Sequence, residues 1–431
     1  MSDGSPAAAR PVDAPVAPKS FAALRHPAYR VYLLGSMLAM MADSIEHVIS
    51  YWMIFEKFHD PALGGYAVFS HWLPFLLFSV WSGALADRYD PRRIIQFGMI
   101  LFMVASVAWG VFFATDTLEK WHAMVILTIH GFAGVFWAPA GQLLIHDIVG
   151  GAQLQSAVRL MSTSRMLGLL LGPAVGGGLM LAVGPVWAIL FNALIYLPLA
   201  WWMWRAPYGH AYRKDTKAHE GPSRARGLRD ILHTARDIAD NRTIVCMTLL
   251  AGAASLFVGN AHQAQMPEFA HDFGYGDGLH YSLLLAANAA GALIAGIALE
   301  SRGLLRAKPR TAMILVMLWC FAIAGFAASG NYVLAVILLL VAGFLDLAFN
   351  AMAQTLVQIE APAQLRGRVI GLYHTSAQGL KAFSGVTVGM GGALVGIHWS
   401  LALSAIALFA VTVGLFAFVL RAAFARGAPG E

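Results

Sequence analysis

Residues 83–115 begin Gly83-Ala84-Leu85-Ala86-Asp87-Arg88-Tyr89-Asp90-Pro91-Arg92-Arg93. They continue Ile94-Ile95-Gln96-Phe97-Gly98-Met99-Ile100-Leu101-Phe102-Met103-Val104-Ala105-Ser106-Val107-Ala108-Trp109-Gly110-Val111-Phe112-Phe113-Ala114-Thr115. The second part carries no Asp, Glu, Lys or Arg. A membrane-spanning helix needs roughly 20 mostly apolar residues, and this run has that length. The first part gathers its charge into a short connection. The same alternation, long apolar run and short basic connection, recurs from about Tyr32 to Leu420. The chain therefore reads as a helical membrane protein that crosses the bilayer many times.

Working outward, the whole composition agrees. Of 431 residues 58% are hydrophobic and only 12% charged, with a mean hydropathy of +0.65. Soluble domains carry about twice that charge. About twelve spans are expected, at 31–55, 64–86, 93–115, 121–146, 156–183, 186–205, 243–268, 280–300, 311–329, 332–358, 368–395 and 399–421. The runs contain Gly and Pro but no alternation of period two, so helices fit and a β-barrel does not.

Charge sets the expected orientation, because Lys and Arg concentrate on the cytoplasmic side. One set of loops holds Arg10, Lys19, Arg25 and Arg30; Arg88, Arg92 and Arg93; the run from Arg205 to Arg242; Arg302, Arg306, Lys308 and Arg310; Arg366 and Arg368; Arg421 and Arg426. The other set holds only Lys57 and Lys120. Arg159, Arg165 and Lys381 fall within spans. Both termini are expected in the cytoplasm, and the excess of basic residues needs no nucleic acid to explain it. The tail 1–28 opens with an Ala- and Pro-rich stretch that lacks the apolar core of a signal peptide. Cys246 and Cys320 lie inside spans and match neither metal nor redox spacings; they read as small buried residues.

The apolar segments divide into 29–205 and 243–421, joined by a polar linker, 206–242, and followed by a short tail, 422–431. Within the linker, Leu228, Ile231, Leu232, Ala235 and Ile238 recur at helical spacing, which suits a helix lying on the membrane surface. The halves resemble each other. Ala152-Gln153-Leu154 returns as Ala363-Gln364-Leu365, and at the same offset Val158, Gly168 and Gly178 match Val369, Gly379 and Gly389; near it, Gly83 and Asp87 match Gly296 and Glu300. Two pseudo-symmetric six-helix bundles with a binding site at mid-membrane between them are the signature of a transporter.

Two motifs carry a resemblance. The connection Gly83, Asp87, Arg88, Arg92 and Arg93 resembles the loop signature of the major facilitator superfamily, with Asp90 where many members have Gly and Pro91 as an insertion. In that family the loop acts as a latch on the cytoplasmic side, and its arginines are expected to pair with Asp87 or Asp147. Gly168, Gly172, Pro173, Gly176 and Gly177 resemble a signature of proton-coupled exporters in the same superfamily; small residues let helices approach closely and the proline bends the helix. The stretches 21–30 and 365–371 are similar to the branch containing the enterobactin exporter. The resemblance covers about Phe21 to Leu420. It implies a secondary transporter of the bacterial inner membrane, acting as a monomer in lipid, with a small-molecule substrate, protons as the coupling ion and no cofactor.

Ionisable groups at mid-membrane are costly and mark function by default. Asp43, Glu46 and His47 sit at i, i+3 and i+4, on one helix face. Asp346, Asn350 and Gln354 form a second stripe, and His374, Gln378 and Lys381 a third. Asp43, Glu46, Asp346, Lys381 and Arg165 are the expected proton-coupling groups. His47, Asn260, Gln263, Asn350, Gln354, His374 and Gln378 are the expected lining of the substrate path, and His262 and Gln265 share their span with two of them. Adjacent carboxylates in a low-dielectric site resist double ionisation, so one can hold a proton. The structural alternative is an ion pair with Arg165 or Lys381, and Asp346 is expected near Lys381. His71 and His130 read as hydrogen-bonded packing residues, with a place on the substrate path as the alternative. The expected activity is proton-driven export of a siderophore or amphiphilic drug. No metal site is assigned, but a metal-ion transporter using Asp43, Glu46 and His47 is the alternative; it calls for second-half ligands such as His262 or Asp346 within coordination distance. A non-transporting sensor is the alternative of another class. No enzyme motif and no nucleotide-binding loop is present in the sequence.

Overall fold

Proline and aspartate start the first helices. His26-Pro27, Asp60-Pro61 and Asp90-Pro91 each place proline at the first helical position, where its fixed φ fits and its missing N–H costs nothing. The Asp60 carboxylate accepts the backbone N–H of Ala62, and that of Asp90 the backbone N–H of Arg92, both at 3.0 Å. These caps satisfy donors that a helix start leaves open. The resulting helices are α1 (Pro27–Phe58), α2 (Pro61–Arg88), α3 (Pro91–Thr115) and α4 (Lys120–Val149). The computed structural model describes residues 21–150, 153–209, 235–275, 278–302, 308–362 and 366–426, without the side chains of a few helical residues, those of 83–84, 87–88 and 366–368 among them.

Helix α5 (Leu154–Ile195) contains two spans in one run, broken at Gly184, whose φ of 78° only glycine adopts easily; α6 (Leu197–Arg205) completes the first half. The second half begins with α7 (Arg242–Phe257). A turn with Gly259 at φ 44° then divides this span, and the short helices α8 (Ala261–Ala264) and α9 (Met266–Asp272) finish it. Long helices follow: α10 (Gly278–Arg302), α11 (Pro309–Ala328) and α12 (Tyr332–Glu360). The eleventh span is in pieces: α13 (Arg366–His374), α14 (Lys381–Ser384) and α15 (Gly391–Val395), joined by π-helical turns at Thr375–Gly379 and Gly385–Met390. The last helix, α16 (Ile397–Arg426), runs past the expected end at 421.

Among the described residues eight helical segments are long and apolar enough to cross a membrane, and one of them, Ser156–Arg205, holds two spans. Adding α1, α2 and the broken eleventh span makes the expected twelve. Residues 210–234, which include the first part of the linker helix expected over 227–241, lie outside the described residues; the remainder shows one helical turn at 235–237 and a buried Ile238. Cys246 and Cys320 are buried and free.

Lipid tails are as apolar as leucine, so close packing and polar contacts, not burial from water, hold such helices together. Glycines mark the closest approaches. A Cβ on Gly168 would lie 2.6 Å from the Met37 carbonyl oxygen, and one on Gly172 would overlap Ser44, so α5 lies directly on α1. Between the halves α2 meets the eleventh span in the same way: Gly65 faces Gly385 and Gly389 with backbones in contact. Gln265 Nε2 donates to the Pro61 carbonyl at 2.8 Å, and the Tyr281 hydroxyl donates to the Val48 carbonyl at 3.1 Å. These joins lie toward the face that bears the α1–α2 turn, opposite the face that bears the linker.

Candidate functional site

The first half gathers its polar groups at mid-depth. Helical spacing puts Asp43, Glu46 and His47 of α1 on one face. Gly131 of α4 leaves no room for a Cβ against the Ser70 carbonyl of α2. That approach brings the neighbouring His130 beside His71. His130 then bridges the two carboxylates: Nδ1 lies 2.8 Å from Glu46 Oε1 and Nε2 lies 2.9 Å from Asp43 Oδ1. The Ser106 hydroxyl of α3 donates to Glu46 Oε2, and Asn192 Nδ2 of α5 donates to Ser106 at 3.3 Å. Glu46, His130 and Asp43 are 1%, 3% and 8% exposed. Burial at that level leaves an unpaired charge costing several kcal/mol, which the histidine bridge offsets.

Three imidazoles converge here. Ring centroids are 4.8 Å apart for His47 and His71, 4.8 Å for His47 and His130, and 5.4 Å for His71 and His130. His71 continues toward the second half through Trp72, 4.9 Å away, and the Lys381 ammonium sits 4.8 Å over the Trp72 ring. A cation on an aromatic face is held electrostatically. Lys381 stands in α14, between the two π-helical turns, a local helix form common at functional positions.

Several expected neighbours are arranged differently. Asp43 and Glu46 pair with His130, not with Arg165 or Lys381; no ion pair within 4.0 Å joins either cation to them among the described residues. Arg165 is exposed, with Asp43 and Tyr32 as its electrostatic neighbours. Asp346 feels the charge of Lys381, but its Oδ1 accepts from Asn350 Nδ2 at 2.8 Å, and no ion pair within 4.0 Å joins it to Lys381 among the described residues. Gln354 is half-buried, while His374 and Gln378 are exposed. Asn260 and Gln263 bond each other at 3.4 Å at the break in the seventh span. His262 is buried with Nδ1 unpartnered among the described residues. Neither His262 nor Asp346 joins the imidazole cluster.

In the loop motif, Asp87 and Arg88 fall among the side chains outside the description. Arg92 grips Asp90 with one guanidinium edge, Nε and Nη2, at 2.6–3.1 Å, and donates from Nη1 to the Ala206 carbonyl at the exit of α6. Asp90, the departure from the family loop, thus caps α3 and anchors Arg92. Arg93 donates to Gln96 at 2.8 Å. Gly172 and Gly176 with Gly168 face α1, and Gly177 faces Ser282 of α10. Pro173 lies inside α5.

His71, His130, Ser106, Asn192 and Trp72 were not legible as site residues. Each is a lone polar or amphipathic group in an apolar run. The available signal was depth alone: they lie at about the level of Asp43 and Glu46, on other helices.

Comparison with known proteins follows the same line. The family described as Major Facilitator Superfamily matches residues 32–386. The staphyloferrin A transporter of Staphylococcus aureus is 23% identical over 229 residues, 51% of this chain and 55% of its own length. A putative multidrug resistance protein MdtD of Pectobacterium atrosepticum is 31% identical over 111 residues, 26% of this chain and 23% of its own. The chain thus aligns with about half, or less, of these relatives. A bacterial homologue of the human lysosomal transporter Spinster, in an inward-facing and unoccupied conformation, superposes with a TM-score of 0.69 at 13% identity, over 92% of this chain and 97% of that one. The xylose transporter XylE from E. coli, inward open, gives 0.66 at 14% identity over 91% and 96%. At such identities the likeness is one of fold. The family match spans most of the chain, the helices number what the fold requires, and the charge lies buried at mid-depth: the chain belongs to the Major Facilitator Superfamily, and its family and fold are those of transporters, not of enzymes.

Proposed function

We propose that the chain is a proton-coupled exporter of an organic small molecule, a siderophore or amphiphilic drug, working by alternating access in a bacterial inner membrane. The observation that carries this reading is the Asp43–His130–Glu46 bridge. Three titratable groups share two short contacts in a nearly dry site. A proton added to one carboxylate removes its attraction for the imidazole, so protonation changes how α1 holds α4. The path His71–Trp72–Lys381 carries that change to the second half. The positive-inside count supports a cytoplasmic linker face and cytoplasmic termini. In that orientation the joined face is periplasmic, and the exposed Arg165, His374 and Gln378 belong to a path open to the cytoplasm, where an exporter loads.

The substrate class is supported by the names of the aligned relatives, a staphyloferrin A transporter and a multidrug resistance protein. Paired measurements in proteoliposomes test the coupling. Glu46→Gln, and failing that Asp43→Asn, is expected to keep substrate counterflow, which needs no gradient, and to lose pH-driven accumulation. If both variants keep pH-driven accumulation, or if collapsing the gradient leaves the wild type unchanged, proton coupling at this site is wrong.

A further inference from the structure

We propose that Asp43, His47, His71 and His130 form a binding site for one divalent first-row transition metal ion. Each offers a ligand atom, and the four atoms lie within 4.8 Å of one another. Zinc-to-nitrogen and zinc-to-oxygen bonds near 2.1 Å put tetrahedral ligands roughly 3.4 Å apart. Small side-chain rotations close that difference.

The ring hydrogens are already disposed for a metal. His47 Nδ1 lies 2.8 Å from its own helix's Asp43 backbone carbonyl, which can only accept, so Nδ1 carries the hydrogen and Nε2 presents its lone pair. His130 Nδ1 faces Glu46 Oε1 at 2.8 Å; an ionised carboxylate only accepts, which leaves Nε2 of the neutral ring as a ligand. Glu46 in turn is fixed by Ser106, and Ser106 by Asn192. A carboxylate behind a ligating histidine, itself hydrogen-bonded, is the usual outer shell of a metal site.

One ring nitrogen at the cluster lacks a hydrogen bond: His71 Nδ1 is buried with no partner among the described residues. His130, 3% exposed, has Nε2 2.9 Å from Asp43 Oδ1, so that nitrogen and that oxygen already lie side by side as two of the four ligand atoms. Charge points the same way. A divalent ion beside Asp43 and Glu46 would offset the mutual repulsion of the two carboxylates more fully than a single imidazolium can. Three imidazoles and one carboxylate favour Zn2+, Co2+, Ni2+ or Fe2+ over Mg2+ or Ca2+, which take oxygen ligands. All four ligands come from the first half, so binding does not require the second-half residues His262 or Asp346.

The test is titration of the tag-free full chain in detergent micelles, with Zn2+ by calorimetry and Co2+ by visible absorption. One Zn2+ per chain is expected, and intense Co2+ bands from a nitrogen-rich site of low coordination number. His71→Gln and Asp43→Asn should each weaken Zn2+ binding at least tenfold. Glu46→Gln keeps all four ligands and loses only the outer carboxylate; about 10–100-fold weaker binding is expected. His146→Ala, an exposed histidine elsewhere on α4, should bind as the wild type does. Absence of stoichiometric binding overturns the proposal, as does equal affinity in His71→Gln, Asp43→Asn and the wild type. Proton coupling is read separately: a protein that binds Zn2+ yet transports without a proton gradient keeps this site and discards the coupling.

Discussion

Replacing Gly389 by alanine isolates the contact that joins the halves. A Cβ at Gly389 would overlap the Gly65 Cα and stand 2.7 Å from the Gly65 nitrogen and 2.9 Å from Gln265 Nε2. Ordinary contact begins at 3.4 Å. Even the nitrogen contact is therefore 0.7 Å too short, and the atom in the way is backbone, which no rotamer change can move. Overpacking of this kind costs about 1–3 kcal/mol. The whole cost falls on the arrangement in which α2 touches the Gly385–Met390 turn. When the halves part at this face the added methyl meets no backbone, so the ratio of joined to parted molecules should drop about 5–150-fold. The assay is a spin-label distance between Thr117→Cys and Gly330→Cys, exposed positions on that face in opposite halves, with Cys246 and Cys320 changed to alanine. The Gly389→Ala protein should show a new population at longer distance. An unchanged distance distribution in a folded variant would refute the claim that the Gly65–Gly389 contact holds this face shut.

Two further outcomes follow from contacts at the ends of helices. Burial raises the Asp60 carboxyl, but the Lys120 ammonium and the backbone N–H groups of Ala62 and Leu63 outweigh it and hold the pKa below the usual carboxylate value; the stabilisation is complete above the unfolded pKa and lost as pH falls through the folded one. Asp60→Asn keeps the cap but loses the ion pair with Lys120 and should cost about 0.2–1 kcal/mol near neutral pH, and thermal melts of variant and wild type should converge in acid. Arg92→Lys keeps the charge but not the fork that grips Asp90 and reaches Ala206; a loss of about 1.5–3 kcal/mol is expected in thermal unfolding, and a melt unchanged from wild type would mean the grip adds no stability.

What the sequence makes legible is what repeats along one helix. Hydropathy places the spans because backbone polar groups in lipid must bond within their own segment, so each span announces itself by length. The helix starts at Asp60-Pro61 and Asp90-Pro91 are local in the same sense, and both fold as their chemistry dictates. The face shared by Asp43, Glu46 and His47 follows from the helical period alone. Breaks inside spans are harder to read: the turn at Gly259 and the π-helical segments around Lys381 change neither hydropathy nor length enough to show.

Convergence is a different kind of information. His71 and His130 each look like a single tolerated histidine, because what makes them a site is the approach of α4 to α2 at Gly131 and Ser70, a contact between residues that share no local pattern. Their partner choice follows from competition, not from proximity in sequence. Arg165 and Lys381 are full cations, yet a guanidinium or ammonium on a long stem can reach other surfaces, as Lys381 does over Trp72. An imidazole with two ring nitrogens on opposite edges fits between two carboxylates one helical turn apart, and His130 fills that gap at 2.8 and 2.9 Å. The geometry of one rigid ring thus decides against the stronger charges. The same reasoning explains why Gly65 and Gly389 matter only together: each is an unremarkable glycine in its own span, and the constraint exists only where two backbones from opposite halves occupy adjacent space. A perturbation at either residue of such a pair reports on the state in which they meet, which is why alanine at Gly389 reads the joined face and not the stability of its own helix.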